Sequence, residues 1–385
     1  MQDINELQLS KELIRFPSIT PVDAGAINFL SKKLKLLGFN CKILEFKDKK
    51  SKPIKNLYAR LGTKQPNICY AGHTDVVPPG NYKDWTVNPF KPIVKNNYLI
   101  GRGANDMKSS IACFVSAVSK FLKTKSKMNG SISFLITGDE EGIAKNGTKK
   151  VVDYLKKKKE KINFCIVGEP TNPKKLGEMI KIGRRGSLSG EIEVLGIQGH
   201  VAYPHLSNNP ISTLVSICKK LKETKLDKGN KTFQPSNLEF TSIHVDNKAH
   251  NVIPSKVSSQ FNIRYNNIHT ASSLKKKINT IVRKICKKSK CNFKLKYEAN
   301  GDAFITKPEK TILMARKIIK KITKINPKFS TTGGTSDARF IRKISPCLEF
   351  GLVNKTMHKV DECVSVADLK KLTKIYHAIL MEYFK

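Results

Sequence analysis

Four apolar runs in this chain each lead into residues that can bind a cation or move a proton. ICYAGHTD (68–75) carries His73 and Asp75 out of a β-like run. Residues two apart on extended chain point the same way, so a histidine able to ligate a metal stands beside a carboxylate able to orient its ring. Taken alone, a histidine satisfied in its own loop would explain that pair. Ser131–Thr137 runs into Asp139, Glu140 and Glu141, three adjacent acids that repel one another unless cations or protons compensate. Phe164–Gly168 ends in Glu169, and the run Cys347–Leu352 is followed by His358. Between the first two runs lies GRGANDMKS (101–109), where Asp106 precedes an apolar helix. It reads either as that helix's N-cap or as a carboxylate shared by two metal ions. Acids directly after buried strands stand where open α/β sheets place their ligands. Two histidines and several carboxylates make a nitrogen- and oxygen-rich donor set of the kind zinc takes.

A second group of segments is built to hold anions. Arg184 and Arg185 in GRRGS (183–187) are fit to pair with carboxylates through two hydrogen bonds each, although ordinary surface arginine would also explain them. TTGGTSD (331–337) offers backbone N–H groups and hydroxyls to a carboxylate. GHVAYPH (199–205) and NVIP (251–254) place further polar groups in glycine- and proline-marked loops.

The elements that must position these residues follow from periodicity. Up to about residue 180, β-rich runs at 41–46, 56–61, 68–71, 131–137 and 164–167 alternate with helical patterns at 4–15, 23–37, 109–123 and 148–159. From about 184 the runs 187–195, 238–245, 257–265 and 293–298 alternate apolar with polar residues, as half-exposed antiparallel strands do, with helical patterns at 210–222 and 272–288. A helix at 310–322, an apolar run at 347–352 and a helix at 366–384 then restore the first texture. The expected fold class is α/β: a catalytic domain with a central mixed sheet flanked by helices, contributed by residues 1–183 and 298–385. An α+β domain, 184–297, is inserted between them.

With 385 residues the chain has length for two domains. No apolar run approaches the roughly 20 residues of a membrane span, and the first residues show no basic stretch leading into an apolar one. Nine scattered cysteines, with no Cys-x-x-Cys pair and Cys286 and Cys291 the nearest two, suit reduced thiols and argue against a cysteine-bound metal. A cytoplasmic enzyme with no membrane partner is expected. The net charge of +40 is almost all lysine, since only ten of the 71 basic residues are arginine. The lysine runs 156–159, 275–277 and 287–288 are not interleaved with aromatics, so a solvated surface is preferred to nucleic-acid binding.

Taken together the segments resemble the family of dinuclear zinc deacylases and exopeptidases that includes aminoacylases, acetylornithine deacetylase and carboxypeptidase G-like enzymes. The resemblance runs from LIRFPSITP (13–21) to NKTMHKVDE (354–362). GRRGS, GIQGHVAYPHLSNNP (196–210) and TGGTSDARF (332–340) match the branch acting on an anionic succinyl amide, N-succinyl-L,L-2,6-diaminopimelate. A relative acting on N-acetylornithine or a dipeptide is the alternative. The resemblance implies two zinc ions per subunit, with cobalt a possible substitute: His73 and Glu169 on one, Glu141 and His358 on the other, Asp106 between them. It further implies a cis peptide after Asp106, Asp75 orienting His73, and Glu140 as general base. His200 would act in a partner's site within a homodimer formed through the inserted domain. Arg184, Ser187, Tyr203, Asn251, Arg264 and Thr335 would contact substrate.

Overall fold

Why the acids end up together is decided by strand pairing. In the computed structural model, which describes residues 3–49, 51–124 and 128–385, the first unit is built on an eight-stranded mixed sheet. Its strands in chain order are β1 (Asn40–Phe46), β2 (Ile54–Leu61), β3 (Asn67–His73), β4 (Ser131–Thr137), β5 (Phe164–Val167), β6 (Met179–Lys181), β7 (Lys328–Ser330) and β8 (Cys347–Glu349). In space they run β1-β2-β4-β3-β5-β8-β6-β7. The four central strands, β4, β3, β5 and β8, are mutually parallel, and register sets His73 beside Thr137, Ala71 beside Val167 and Val167 beside Glu349. Their carboxyl ends therefore lie abreast.

β3, β4 and β5 are buried along their whole length, as parallel strands covered on both faces must be. The apolar helix Lys108–Thr124 is buried on nearly every side because it packs against the sheet and between the helices Glu6–Ile14 and Val366–Tyr383. Behind β3, Tyr70 stacks on Phe114 with ring centroids 4.4 Å apart. The Tyr70 hydroxyl donates to Ser110 Oγ at 2.9 Å, Ser110 meets the Tyr376 hydroxyl at 3.1 Å, and Tyr376 donates to the Phe350 carbonyl at 2.6 Å. This buried hydroxyl chain links the central strand, two helices and the exit of β8, and satisfies polar groups that burial would otherwise leave costly.

The second unit is a four-stranded antiparallel sheet, ordered Asn237–His244, Lys256–Tyr265, Gly186–Leu195 and Asn292–Ala299, with helices Pro210–Glu223 and Ala271–Ser289. Alternate residues of Lys256–Tyr265 are buried, among them Val257, Phe261 and Ile263. They pack with Leu188, Ile192, Leu214 and Leu274 in one apolar core. Helix Ala271–Ser289 starts on a capping box in which Thr270 and Ser273 satisfy each other's backbone N–H groups.

The units divide the chain as 1–182, 306–330 and 336–385 against 183–305 and 331–335. The inserted unit thus runs past the expected boundary at 297, because Phe304–Ile305 pairs with Gly183–Arg184. It also takes Thr331–Thr335 from a stretch expected in the first unit. Among the described residues, no helix is long and apolar enough to cross a membrane.

Candidate metal centre

Each strand end supplies its own part of the site. His73 is the last residue of β3, and Thr74 N–H donates to the Thr137 carbonyl at 2.9 Å, which keeps the chain beside β4 as it leaves the sheet. β4 opens into Asp139, Glu140 and Glu141. β5 is followed by Gly168, whose N–H donates to the Ala71 carbonyl at 3.0 Å and extends the ladder by one bond before Glu169. Gly168 has to be glycine: a Cβ there would overlap the Tyr70 hydroxyl and ring and lie 2.7 Å from Met107 Cε.

Six ionisable residues meet in the first unit. His73 Nε2 is 3.0 Å from Asp106 Oδ1 and 3.9 Å from Glu169 Oε1. His358 Nε2 is 2.8 Å from Glu141 Oε1 and 3.3 Å from Asp106 Oδ2. Asp106 thus presents one oxygen to each imidazole. Ligand atoms of His73, Glu140 and Glu169, and of His73, Asp106 and Glu141, lie within 4.8 Å of one another. The Asp106–Met107 peptide is cis.

Asp75 is used differently from the simplest reading of its spacing. His73 Nδ1 meets the Asp75 backbone carbonyl at 2.9 Å, whereas the carboxylate is 3.6 Å away. That carboxylate instead accepts the backbone N–H of Glu140 at 3.2 Å and of Glu141 at 3.0 Å. Asp75 therefore holds the His73 ring through its main chain and fixes the two glutamates through its side chain.

The electrostatics are those of a site with too much negative charge for its burial. His73, Asp106 and Glu169 are 1, 6 and 8 % exposed. Burial, then the charges of Glu169, Asp337 and Glu141, push Glu140 well above the usual carboxylate range, His73 working against them. Burial pushes Asp75 up to about 7. Burial disfavours a charged ring at His73, but the hydrogen bond to Asp106 and the surrounding carboxylates outweigh it and raise its pKa well above the ordinary value. Hydrogen bonds to Asp106 and Glu141 push His358 up to about 10. Protons thus gather where the donor atoms converge. Two imidazole nitrogens and four carboxylates, one with an oxygen toward each histidine, fit a pair of divalent cations of the zinc type.

Two residues at this site escaped the sequence reading, Arg102 and Glu362. Both are buried, and they form an ion pair of 2.7 Å. Glu362 also accepts backbone N–H groups of Gly103, Asn105 and Asp106. The one signal in the sequence is an acid four residues after His358. The segment LIRFPSITP also lies here, since Ser18 Oγ donates to the Thr74 carbonyl at 2.6 Å and Lys108 Nζ to the Phe16 carbonyl at 2.7 Å.

The remaining site candidates belong to the second unit. Arg184 is buried with Nη1 donating to the Gly334 carbonyl at 3.1 Å, beside half-buried Thr335. Ser187 pairs with Arg264 across adjacent strands. His200, Tyr203 and Asn251 form a separate, exposed group. The rings of His200 and Tyr203 are 5.8 Å apart, and Val201 N–H donates to the Asn251 carbonyl at 3.1 Å.

Residues 69–382 match the model of peptidase family M20/M25/M40. The chain is 67 % identical over 384 residues to the succinyl-diaminopimelate desuccinylase of Pelagibacter ubique, covering all of both chains. Among solved structures it is similar to an M20 metallo-carboxypeptidase of Sulfolobus solfataricus, with a TM-score of 0.79, 20 % identity, and 100 % and 99 % of the two chains covered. It is also similar to a dinuclear metal-binding M20 peptidase of Bacillus subtilis, with a TM-score of 0.72, 13 % identity, and 98 % and 97 % covered.

Metal affinity should rise with pH, because the carboxylates around both imidazoles raise their pKa values and a ligating ring must give up its proton. Chelator competition at pH 6 and pH 8 measures this. Weaker binding at the higher pH would contradict the proposed donor set.

Proposed function

We infer the reaction from the premise that this chain belongs to peptidase family M20/M25/M40, whose members include dinuclear metal-dependent hydrolases. It hydrolyses the succinyl amide of N-succinyl-L,L-2,6-diaminopimelate to succinate and L,L-2,6-diaminopimelate. One observation carries this reading above others: full-length similarity at 67 % identity to a relative named for that activity. The carboxylate-rich centre supports it.

We propose two zinc ions, one on His73 and Glu169 and one on Glu141 and His358, with Asp106 shared and cobalt able to substitute. When bound, they lower the pKa of a water and polarise the scissile carbonyl. Glu140 then has the properties of the general base. Its backbone is pinned by Asp75, and its carboxylate stands with His73 and Glu169 in the ligand cluster, placed to take a proton from water. As the water oxygen bonds to the amide carbon, Glu140 accepts that proton. It returns it to the leaving nitrogen as the C–N bond breaks. In this reading Arg184, Ser187, Arg264 and Thr335 contact substrate carboxylates, with Tyr203 and Asn251 as further contacts. The chain works as a homodimer paired through the inserted unit, and His200 donates to the oxyanion in the partner subunit's site.

Zinc-loaded protein given N-succinyl-L,L-2,6-diaminopimelate and N-acetylornithine in parallel should release succinate and diaminopimelate from the first and leave the second largely intact. Faster turnover of N-acetylornithine, followed by chromatography, would favour a sibling activity. Glu140→Ala should lower kcat by about 10²–10⁴ with near-normal zinc content, whereas Glu141→Ala should lose metal. Identical metal content and kcat in the two variants would refute that division of roles. Mixing inactive His200→Ala subunits with inactive Glu140→Ala subunits should restore part of the activity, because one site of each mixed dimer has Glu140 and a partner's His200. No recovery after verified exchange excludes action in trans.

A further inference from the structure

No step of the proposed reaction uses the buried pair Arg102–Glu362, yet it is the most heavily bonded acid–base pair near the centre. Glu362 Oε2 accepts from Arg102 Nη1 at 2.7 Å and from Gly103 N–H at 3.1 Å. Its Oε1 accepts from Asn105 N–H at 2.6 Å and Asp106 N–H at 2.9 Å. Arg102 in turn donates to the Lys359 carbonyl at 3.2 Å and to the Pro78 carbonyl at 3.3 Å, with its guanidinium 5.1 Å from the Trp85 ring centre. One ion pair therefore joins the segment that follows β3, the turn that carries Asp106 and the loop that carries His358.

Those are the parts of the centre the sheet does not hold. His73 ends β3 and Glu169 follows β5 by two residues, so strand pairing places both. Asp106 sits in a turn and His358 in an irregular loop. His358 has a φ of 63°, a left-handed conformation that a histidine keeps only when its surroundings fix it, and its side chain is 43 % exposed. Packing alone does not hold such a ring 2.8 Å from Glu141.

We propose that Arg102 and Glu362 are positioning residues that hold Asp106 and His358 at the spacing two cations require, and so control occupancy of the Glu141–His358 position. The idea rests on the metal reading of the centre. It makes the two positions unequal: both share Asp106, but His73 and Glu169 are placed by the sheet, whereas His358 depends on the pair as well. Ligand supports of this kind typically change metal affinity about 10–100-fold.

The test titrates metal-stripped full-length protein with zinc by calorimetry, and with cobalt(II) by visible absorption. The chains compared are the wild type, Glu362→Gln, Arg102→Lys and Leu30→Ala. Leu30 is fully buried in the helix Ala26–Leu36, so its replacement controls for general destabilisation. Wild type and Leu30→Ala should bind two ions per chain. Both pair variants should bind two ions unequally: the first slightly more weakly, through shared Asp106, and the other about 10–100-fold more weakly, with the second cobalt spectrum altered most. If Glu362→Gln does not fold by circular dichroism, Arg102→Lys decides, since it keeps a cation on Glu362 while losing the reach to Lys359 and Pro78. A folded pair variant with two unchanged affinities, or with both weakened alike, overturns the proposal. A wild type that binds no divalent ion removes the metal reading itself, a separate and recognisable outcome.

Discussion

Four carboxylates, those of Asp106, Glu140, Glu141 and Glu169, are gathered around two imidazoles at one edge of a sheet, and that crowding sets the terms for everything around it. Two like charges about 4 Å apart repel by about 4 kcal/mol at an effective dielectric constant near 20. No chain would gather them without rigid means of holding them. The parallel register of β3, β4 and β5 supplies the first. The missing side chain at Gly168 lets Tyr70 pass beneath Glu169, and Asp75 fastens the backbone of Glu140 and Glu141. Compensation comes from protons in the metal-free protein and, in the reading adopted here, from cations during turnover.

Most of the architecture could be read from the sequence because its strong elements are long and periodic. The helices at 109–123 and 366–384 and the strand at 131–137 fall within a residue or two of their observed bounds. The short strands were not legible. Lys328–Ser330 and Met179–Lys181 are three residues each and are defined by the neighbours they pair with, which no local pattern records. The pairing of Phe304–Ile305 with Gly183–Arg184 is long-range for the same reason, and it moves the domain boundary.

At the centre, the residues that converge are legible in the sequence because histidines and acids after apolar runs are chemically conspicuous. The residues that hold them did not. Glu362 looks like one more acid in a polar loop, and Arg102 like one more cation in a strongly basic chain. Their roles exist only once residues about 260 apart are brought into contact. The nearness of Asp75 to His73 is legible in the sequence, but the fold gives the carboxylate's hydrogen bonds to the backbone of Glu140 and Glu141. The fold itself does not select a substrate, since a carboxypeptidase shares it at 20 % identity. Selectivity must lie in side chains and loops rather than in the scaffold.

The position of the insertion carries a consequence for biosynthesis. β8 fills the place between β5 and β6, yet residues 183–305 and more are made before it. A chain emerging from the ribosome can complete almost the whole inserted unit while the edge of β5 is still unpaired and His358 unmade. Open strand edges invite pairing with other chains. The nascent protein therefore passes through a stage in which the open edge of β5 is exposed to misassociation, and the centre cannot form until His358 has been made.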